Sequence, residues 1–276
     1  MNDFIGIGAQ KCASSWLYEV LNSHSQAYMS DTKELDFFSY YYDKGYEWYH
    51  RNFYSNGNLM SGEISPSYFY DQDVPARVKR YNKDIKILLC LRDPVKRMFS
   101  NHLHEVRAGN VTGENTIFEN ALNNNPLYLE QSLYAKHLKR WLKYFEKDQI
   151  LVVFQEDINN NPIEVYKQVC RFLNITEDEN FMGDFHVNDS TVKKNPFIGM
   201  VFELGGVFLR RLGLKSAVDT LKRRGLISRL YKGNKTHLKD VVKPMMSETK
   251  SKLRLKISES DAELKVILGL SALPWE

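Results

Sequence analysis

Hydrophobic positions in the first 175 residues fall into short, nearly continuous apolar runs separated by stretches of helical spacing. FIGIG (Phe4–Gly8), IKILLCL (85–91) and ILVVFQ (150–155) read as strands covered on both faces, and LMSGEIS (59–65) as a weaker fourth. Apolar residues recur three and four apart over 15–22, Val74–Tyr81, 95–107, 132–145 and Pro162–Leu173, which predicts a helix on each. Strands alternating with helices imply right-handed crossovers. The expected fold is therefore three-layer α/β/α around a central, mostly parallel sheet. Ligands of such sheets sit beyond the carboxyl ends of the strands.

Two segments at expected strand ends carry chemistry. In FIGIGAQKCASSW (4–16) a strand runs into a turn of small residues and then a helix. Laid on Gly8, the nucleotide-binding pattern G-x-x-x-x-G-K-[ST] puts Ala13 at the second glycine, Ser14 at the lysine and Ser15 at the hydroxyl. The lysine stands three residues earlier, as Lys11. A nest of backbone N–H groups at the helix N-terminus still suits an anion, which Lys11 would meet from the loop. The alternative is a tight turn with a solvated lysine. In LRDPVKRMFSNHLHE (91–105) Arg92 leaves a strand end, Pro94 suits a first helical turn, and Ser100 follows eight residues after Arg92. Guanidinium and hydroxyl would clamp a second phosphate; the alternative is an Arg92–Asp93 surface pair of little worth.

Together, G-x-x-K-x-x-x-S-W and L-R-D-P-x-x-R-x-x-S-x-H resemble the sulfotransferases that use 3′-phosphoadenosine-5′-phosphosulfate (PAPS), in particular the glycan branch with the heparan-sulfate enzymes and their bacterial relatives. TKELDFF (32–38) is similar to that branch's K-E-x-x-F-F, EISPSYF (63–69) to its E-K-x-P-x-Y-F, and QSLYAKHLKRWLKYF (131–145) to its S-x-Y-x-x-x-L-x-x-W-L helix. LGLSALPW (268–275) is similar to the tryptophan ending of many bacterial members; residues 197–259 match nothing in the pattern.

The resemblance implies a P-loop-NTPase-like fold and a set of roles. Lys11, Cys12, Ala13, Ser14, Ser15 and Trp16 would wrap the 5′-phosphosulfate, with Lys11 beside the bridging oxygen. Arg92 and Ser100 would hold the 3′-phosphate, and Lys193 and Lys194 would add to the nucleotide phosphates. Glu34 would be the general base. An ordinary glutamate, with a pKa of about 4.3, needs tuning for that work. Glu34 reads equally as a surface partner of Lys33, and His104 is the reserve base. Cys12, at a helix N-terminus, is either an activated thiol or a small loop side chain. Sulfuryl transfer by this route asks for positioning and charge neutralisation, so no metal is expected. His102 and His104, two apart on a helix, face different directions and make a poor metal pair. Where the heparan-sulfate branch carries a second lysine, this chain has Ile64, so the acceptor side differs.

Charge adds a second feature. Net charge is +4, yet residues 207–256 hold fifteen Lys or Arg against three Asp or Glu, a local +12 that leaves the rest at −8. Within one expected domain, 1–276, the helical basic segment 197–259 reads as an acceptor lid, a dimer contact or a membrane-surface element. Ten aromatics in residues 37–54 are either a sugar platform or core. Three widely spaced cysteines indicate no disulfide framework. No apolar run approaches the roughly 18 residues that span a bilayer, and the start lacks a signal peptide's basic region. The expectation is a cytoplasmic bacterial enzyme acting on a glycan or other hydroxyl-bearing acceptor, with no nucleic-acid partner. The rivals are an acceptor that is a lipid or small natural product, a P-loop kinase, and a non-catalytic module that binds nucleotide or nucleic acid.

Overall fold

The computed structural model describes residues 1–53, 59–178 and 242–276, together with the backbone of Thr191–Lys193 and Lys235–His237. By its internal contacts the chain divides into two compact units. The first comprises Met1–Ser100, Leu127–Val187 and Lys250–Glu276; the second comprises Asn101–Pro126 and Asn188–Thr249.

The first unit is built on five strands: β1 (Phe4–Gly8), β2 (Ala27–Met29), β3 (Met60–Ile64), β4 (Lys86–Leu91) and β5 (Ile150–Phe154). They pair in the order β2-β3-β1-β4-β5, parallel throughout. The central strands are the apolar runs of the sequence: β1 is buried at every position and β4 at all but its first. β1 lies between β3 and β4, with Ile5 opposite both Glu63 and Ile87. The chain leaves β1 toward β3 on one side and reaches β4 on the other, so the order reverses at the carboxyl end of β1, where a crevice is expected.

The described helices are α1 (Ser14–Asn22), α2 (Gly45–His50), α3 (Val74–Tyr81), α4 (Pro94–Ala108), α5 (Phe118–Asn124), α6 (Leu127–Glu130), α7 (Tyr134–Trp141), α8 (Gln155–Asn160), α9 (Pro162–Leu173) and a last helix, Ser247–Leu268, of which α5 belongs to the second unit. The apolar face of α1 puts Trp16, Leu17, Val20 and Leu21 into the core, and α9 adds Val165, Tyr166, Val169 and Leu173. Gly62 is a packing requirement, since a Cβ there would stand 2.5 Å from the Phe4 ring. Gly8 has φ 133°, and a Cβ would stand 2.8 Å from the Pro66 carbonyl oxygen, so the chain leaves β1 in a form only glycine takes easily.

The aromatic segment is largely core. Phe37, Phe38 and Tyr49 are fully buried, with Phe37 stacked on Tyr49 at 4.5 Å between centroids. Tyr40 and Tyr41 are the exposed rings of the segment among the described residues. In the second unit β6 (Thr191–Lys193) pairs antiparallel with β7 (Lys235–His237). Most of the basic segment, residues 194–234 and 238–241, lies outside the described residues. No described helix is long and apolar enough to cross a membrane.

Candidate functional site

The loop after β1 turns by unusual backbone. Lys11 (φ 66°) and Ala13 (φ 70°) both adopt the left-handed conformation, and Ala13 is the N-cap of α1. Ala9 N–H donates to the Cys90 carbonyl at 2.7 Å, which ties the loop to the end of β4. Left-handed residues at a helix start turn successive N–H groups inward, the geometry of an anion nest. Ser14 and Trp16 are buried, and Lys11, Ala13 and Ser15 are half-buried.

The β4 end meets this loop directly. Arg92 Nη1 donates to the Lys11 carbonyl at 3.1 Å. Its Nε is buried with no partner among the described protein groups, a donor that an external oxygen could satisfy. The alternative of an Arg92–Asp93 surface pair does not hold. Asp93 is buried and accepts from Arg254 Nη2 at 2.5 Å, and its Oδ1 caps α4 through Val95 N–H at 2.9 Å and Lys96 N–H at 3.3 Å. Ser100 is half-buried on α4.

Arg97, from the same sequence motif, turns inward. Fully buried, it donates from Nε to Ser132 Oγ at 2.6 Å, from Nη1 to Gln131 Oε1 at 3.1 Å and from Nη2 to the Tyr128 carbonyl at 2.7 Å. Its role is to fasten the 128–132 turn to α4.

Glu34 is half-exposed, with φ 62°. Its Oε1 lies 2.9 Å from Lys33 Nζ, and the same ammonium donates to Ser15 Oγ at 2.7 Å. The surface-pair reading and the functional reading thus meet in one arrangement. The Lys33 ammonium links the Glu34 carboxylate to Ser15 at the start of α1, a contact that sequence reasoning, which used Lys33 only as Glu34's neighbour, missed.

Cys12 is not an activated thiol. It is fully buried, its Sγ lies 3.6 Å from Tyr134 Oη, and burial pushes its pKa up to about 11. The thiol also lies 3.5 Å from the Gln10 carbonyl within the loop. In the second unit His102 is buried with Nε2 3.0 Å from the Thr116 carbonyl and its ring against Phe118, whereas His104 is exposed. Lys193 ends β6, and Lys194 lies outside the described residues. Among the described residues no cluster of His, Cys, Asp and Glu is arranged to hold a metal ion. The tryptophan of LGLSALPW is anchored: Trp275 Nε1 donates to Asp261 at 3.0 Å, and its ring lies against Tyr134 and Phe154.

Known proteins resemble this chain in sequence and fold. Residues 1–196 match the model of the sulfotransferase domain. Human heparan sulfate glucosamine 3-O-sulfotransferase 5 is 33% identical over 182 residues, which cover 61% of this chain and 52% of that protein. Human bifunctional heparan sulfate N-deacetylase/N-sulfotransferase 2 is 28% identical over 206 residues, 67% of this chain and 23% of that one. The chain thus spans about half the length, or less, of these curated relatives. The crystal structure of a sulfotransferase from Alicyclobacillus acidocaldarius superposes over 98% of this chain and 97% of its own, with a TM-score of 0.67 at 22% identity, which shows the shared fold.

Proposed function

The chain belongs to the family of sulfotransferase domains, and from that premise we propose that it transfers a sulfuryl group from PAPS to a hydroxyl, or an amine, of a carbohydrate-containing acceptor. The hydrogen bond from Arg92 Nη1 to the Lys11 carbonyl carries the reading. It ties the Arg92 guanidinium, just past the end of β4, to the backbone of the loop that carries Lys11. The Arg92 Nε, without a partner among the described residues, and the left-handed loop residues Lys11 and Ala13 fit phosphate oxygens.

In this reading Arg92 and Ser100 hold the 3′-phosphate, and the amides of 11–16 hold the 5′-phosphosulfate. Glu34 takes the proton of the acceptor hydroxyl. A bond forms between the acceptor oxygen and sulfur as the bond from sulfur to the bridging phosphate oxygen breaks. The departing electron pair stays on that phosphate oxygen, where Lys11 neutralises it. Lys33, shared by Glu34 and Ser15, keeps base and loop in register, so most of the work is positioning. The relatives named for heparan sulfate O- and N-sulfation support a carbohydrate acceptor. Ile64, in place of that branch's lysine, sets the acceptor side apart.

Calorimetry with adenosine 3′,5′-bisphosphate and with ATP tests the donor, and labelled PAPS against a panel of glycans, lipids and small hydroxyl compounds tests the acceptor. Tight bisphosphate binding and weak ATP binding are expected. ATP binding as tightly as the bisphosphate overturns the reading in favour of a kinase. Glu34→Ala is expected to bind the bisphosphate normally and to lose turnover.

A further inference from the structure

The loop that presents Glu34 is strained and held from outside. Glu34 (φ 62°) and Asp36 (φ 51°) both occupy the left-handed region, which residues with a Cβ keep only when their surroundings fix it. Three loop amides are fixed by the segment 63–69. Glu34 N–H donates to the Ile64 carbonyl at 3.2 Å, Asp36 N–H to Ser65 Oγ at 2.9 Å, and Phe38 N–H to Tyr68 Oη at 3.2 Å.

Behind these hydroxyls lies one buried carboxylate. Glu63, at the end of β3, has no exposed surface. Its Oε2 accepts from Ser65 Oγ at 2.6 Å, and its Oε1 accepts from Tyr68 Oη at 2.6 Å and Tyr49 Oη at 2.9 Å. Asn2 Nδ2 in turn donates to Tyr49 Oη at 2.9 Å. A hydroxyl has one proton to give. With those of Ser65 and Tyr68 committed to Glu63, their lone pairs are left facing the amides of Asp36 and Phe38. When ionised, Glu63 is acceptor-only and so sets the polarity of the contacts that hold the loop.

We propose that Glu63, acting through Ser65 and Tyr68, is a positioning residue that holds the Glu34 carboxylate where it takes the acceptor's proton. The proposal rests on Glu34 being the base. It gives Glu63, Ser65 and Tyr68 of the EISPSYF segment a task that needs no contact with the donor.

Ser65→Ala removes one hydroxyl and cuts the link to Asp36. Ser61→Ala, which removes the hydroxyl that donates to Asp3 at the opposite end of the same strand, is the matched control. Amide hydrogen exchange at Asp36 and Phe38 is measured alongside kcat and the KM for PAPS. Ser65→Ala is expected to speed exchange at Asp36 and to lower kcat about tenfold with the KM for PAPS unchanged, while Ser61→Ala changes none of these. Glu63→Gln, which still accepts from both tyrosines, is expected to retain more kcat than Glu63→Ala. Unchanged exchange and unchanged kcat in Ser65→Ala overturn the proposal, as does a loss expressed in the KM for PAPS. Turnover that survives Glu34→Ala overturns the base assignment instead. The exchange at Asp36, which needs no turnover, still decides whether Ser65 holds the loop.

Discussion

Arg92 reaches across the carboxyl edge of the sheet to the carbonyl of Lys11, at 3.1 Å and 81 positions away in sequence. Its Nη1 is spent on that carbonyl, while its Nε is buried with no partner among the described residues. A buried guanidinium donor left without an acceptor is costly, and the oxygen of a bound anion would satisfy it. The pairing brings two motifs far apart in sequence into direct contact. The strand order brings β1 and β4 side by side, and each strand ends in a cation.

Arg92→Ala should therefore weaken binding of adenosine 3′,5′-bisphosphate by about 2 kcal/mol, roughly thirtyfold, the scale of hydrogen bonds to a charged group. ATP, which lacks the 3′-phosphate, should lose far less. Arg92→Lys should recover only part of the difference, because an ammonium cannot donate to Lys11 and to a ligand in the same fixed fork. Calorimetry on the three proteins with both nucleotides decides this.

Lys11→Ala should act on rate more than on affinity. Charge on the bridging oxygen develops as the bond to sulfur breaks, so the ammonium is worth most in the transition state. A fall in kcat of about 10²- to 10³-fold is expected from the loss of one such donor, with bisphosphate affinity changed by less than tenfold. A defect confined to affinity would place Lys11 on a phosphate that takes no part in the reaction.

Glu63 makes stability depend on pH. Burial pushes its carboxyl from the ordinary 4.5 to about 7, against the pull of the Ser65, Tyr68 and Tyr49 hydrogen bonds. Between about 4.5 and 7 the native state keeps a proton that the unfolded chain has already lost, so unfolding free energy falls as pH rises through that window. The contribution is on the order of 3 kcal/mol at most. Above the window the carboxylate is ionised and accepts from all three hydroxyls. Burial lowers His102 and His137, which act in the opposite sense near 6.5, so the comparison must be with a variant. The change in Tm between pH 5 and pH 7.5, wild type minus Glu63→Gln, should be negative. An equal change in both proteins would remove Glu63 from the account.

Elements with strong local signals were legible in the sequence. Val74–Tyr81 and Pro162–Leu173 each begin at a proline-bearing first turn, and Asn161 caps the second through Glu164 N–H, so their bounds could be read directly. β2 escaped because three residues on an edge show no period. The helix expected over 132–145 begins at Tyr134, since Ser132 and Gln131 are engaged by Arg97. The placement of Lys11 and Arg92 just past the ends of β1 and β4 was legible from the apolar runs that precede them. The Lys33 bridge to Ser15 and the Glu63 network were not, because both depend on tertiary contacts between segments that no local pattern connects.

One cation of the basic stretch 207–256 is spent inside the fold. Arg254 Nη2 lies 2.5 Å from Asp93, whose side chain is 2% exposed while that of Arg254 is 31% exposed. Asp93 is also the cap of α4, the helix that carries Ser100. Arg254→Met would leave a buried carboxylate whose remaining partners among the described residues are the N-terminal amides of α4. For a fully buried pair such a change costs about 3–5 kcal/mol; with Arg254 partly in water, about 2 kcal/mol is expected. Asp93→Asn keeps the cap oxygen and removes the charge, so the two changes together should cost less than their sum. A double-mutant cycle by chemical denaturation should then give a coupling of about 1–2 kcal/mol. Coupling near zero would mean that the last helix is held to this unit without the ion pair. A coupling of the expected size, with bisphosphate affinity falling in step in Arg254→Met, would show that the basic stretch supports the nucleotide site through α4.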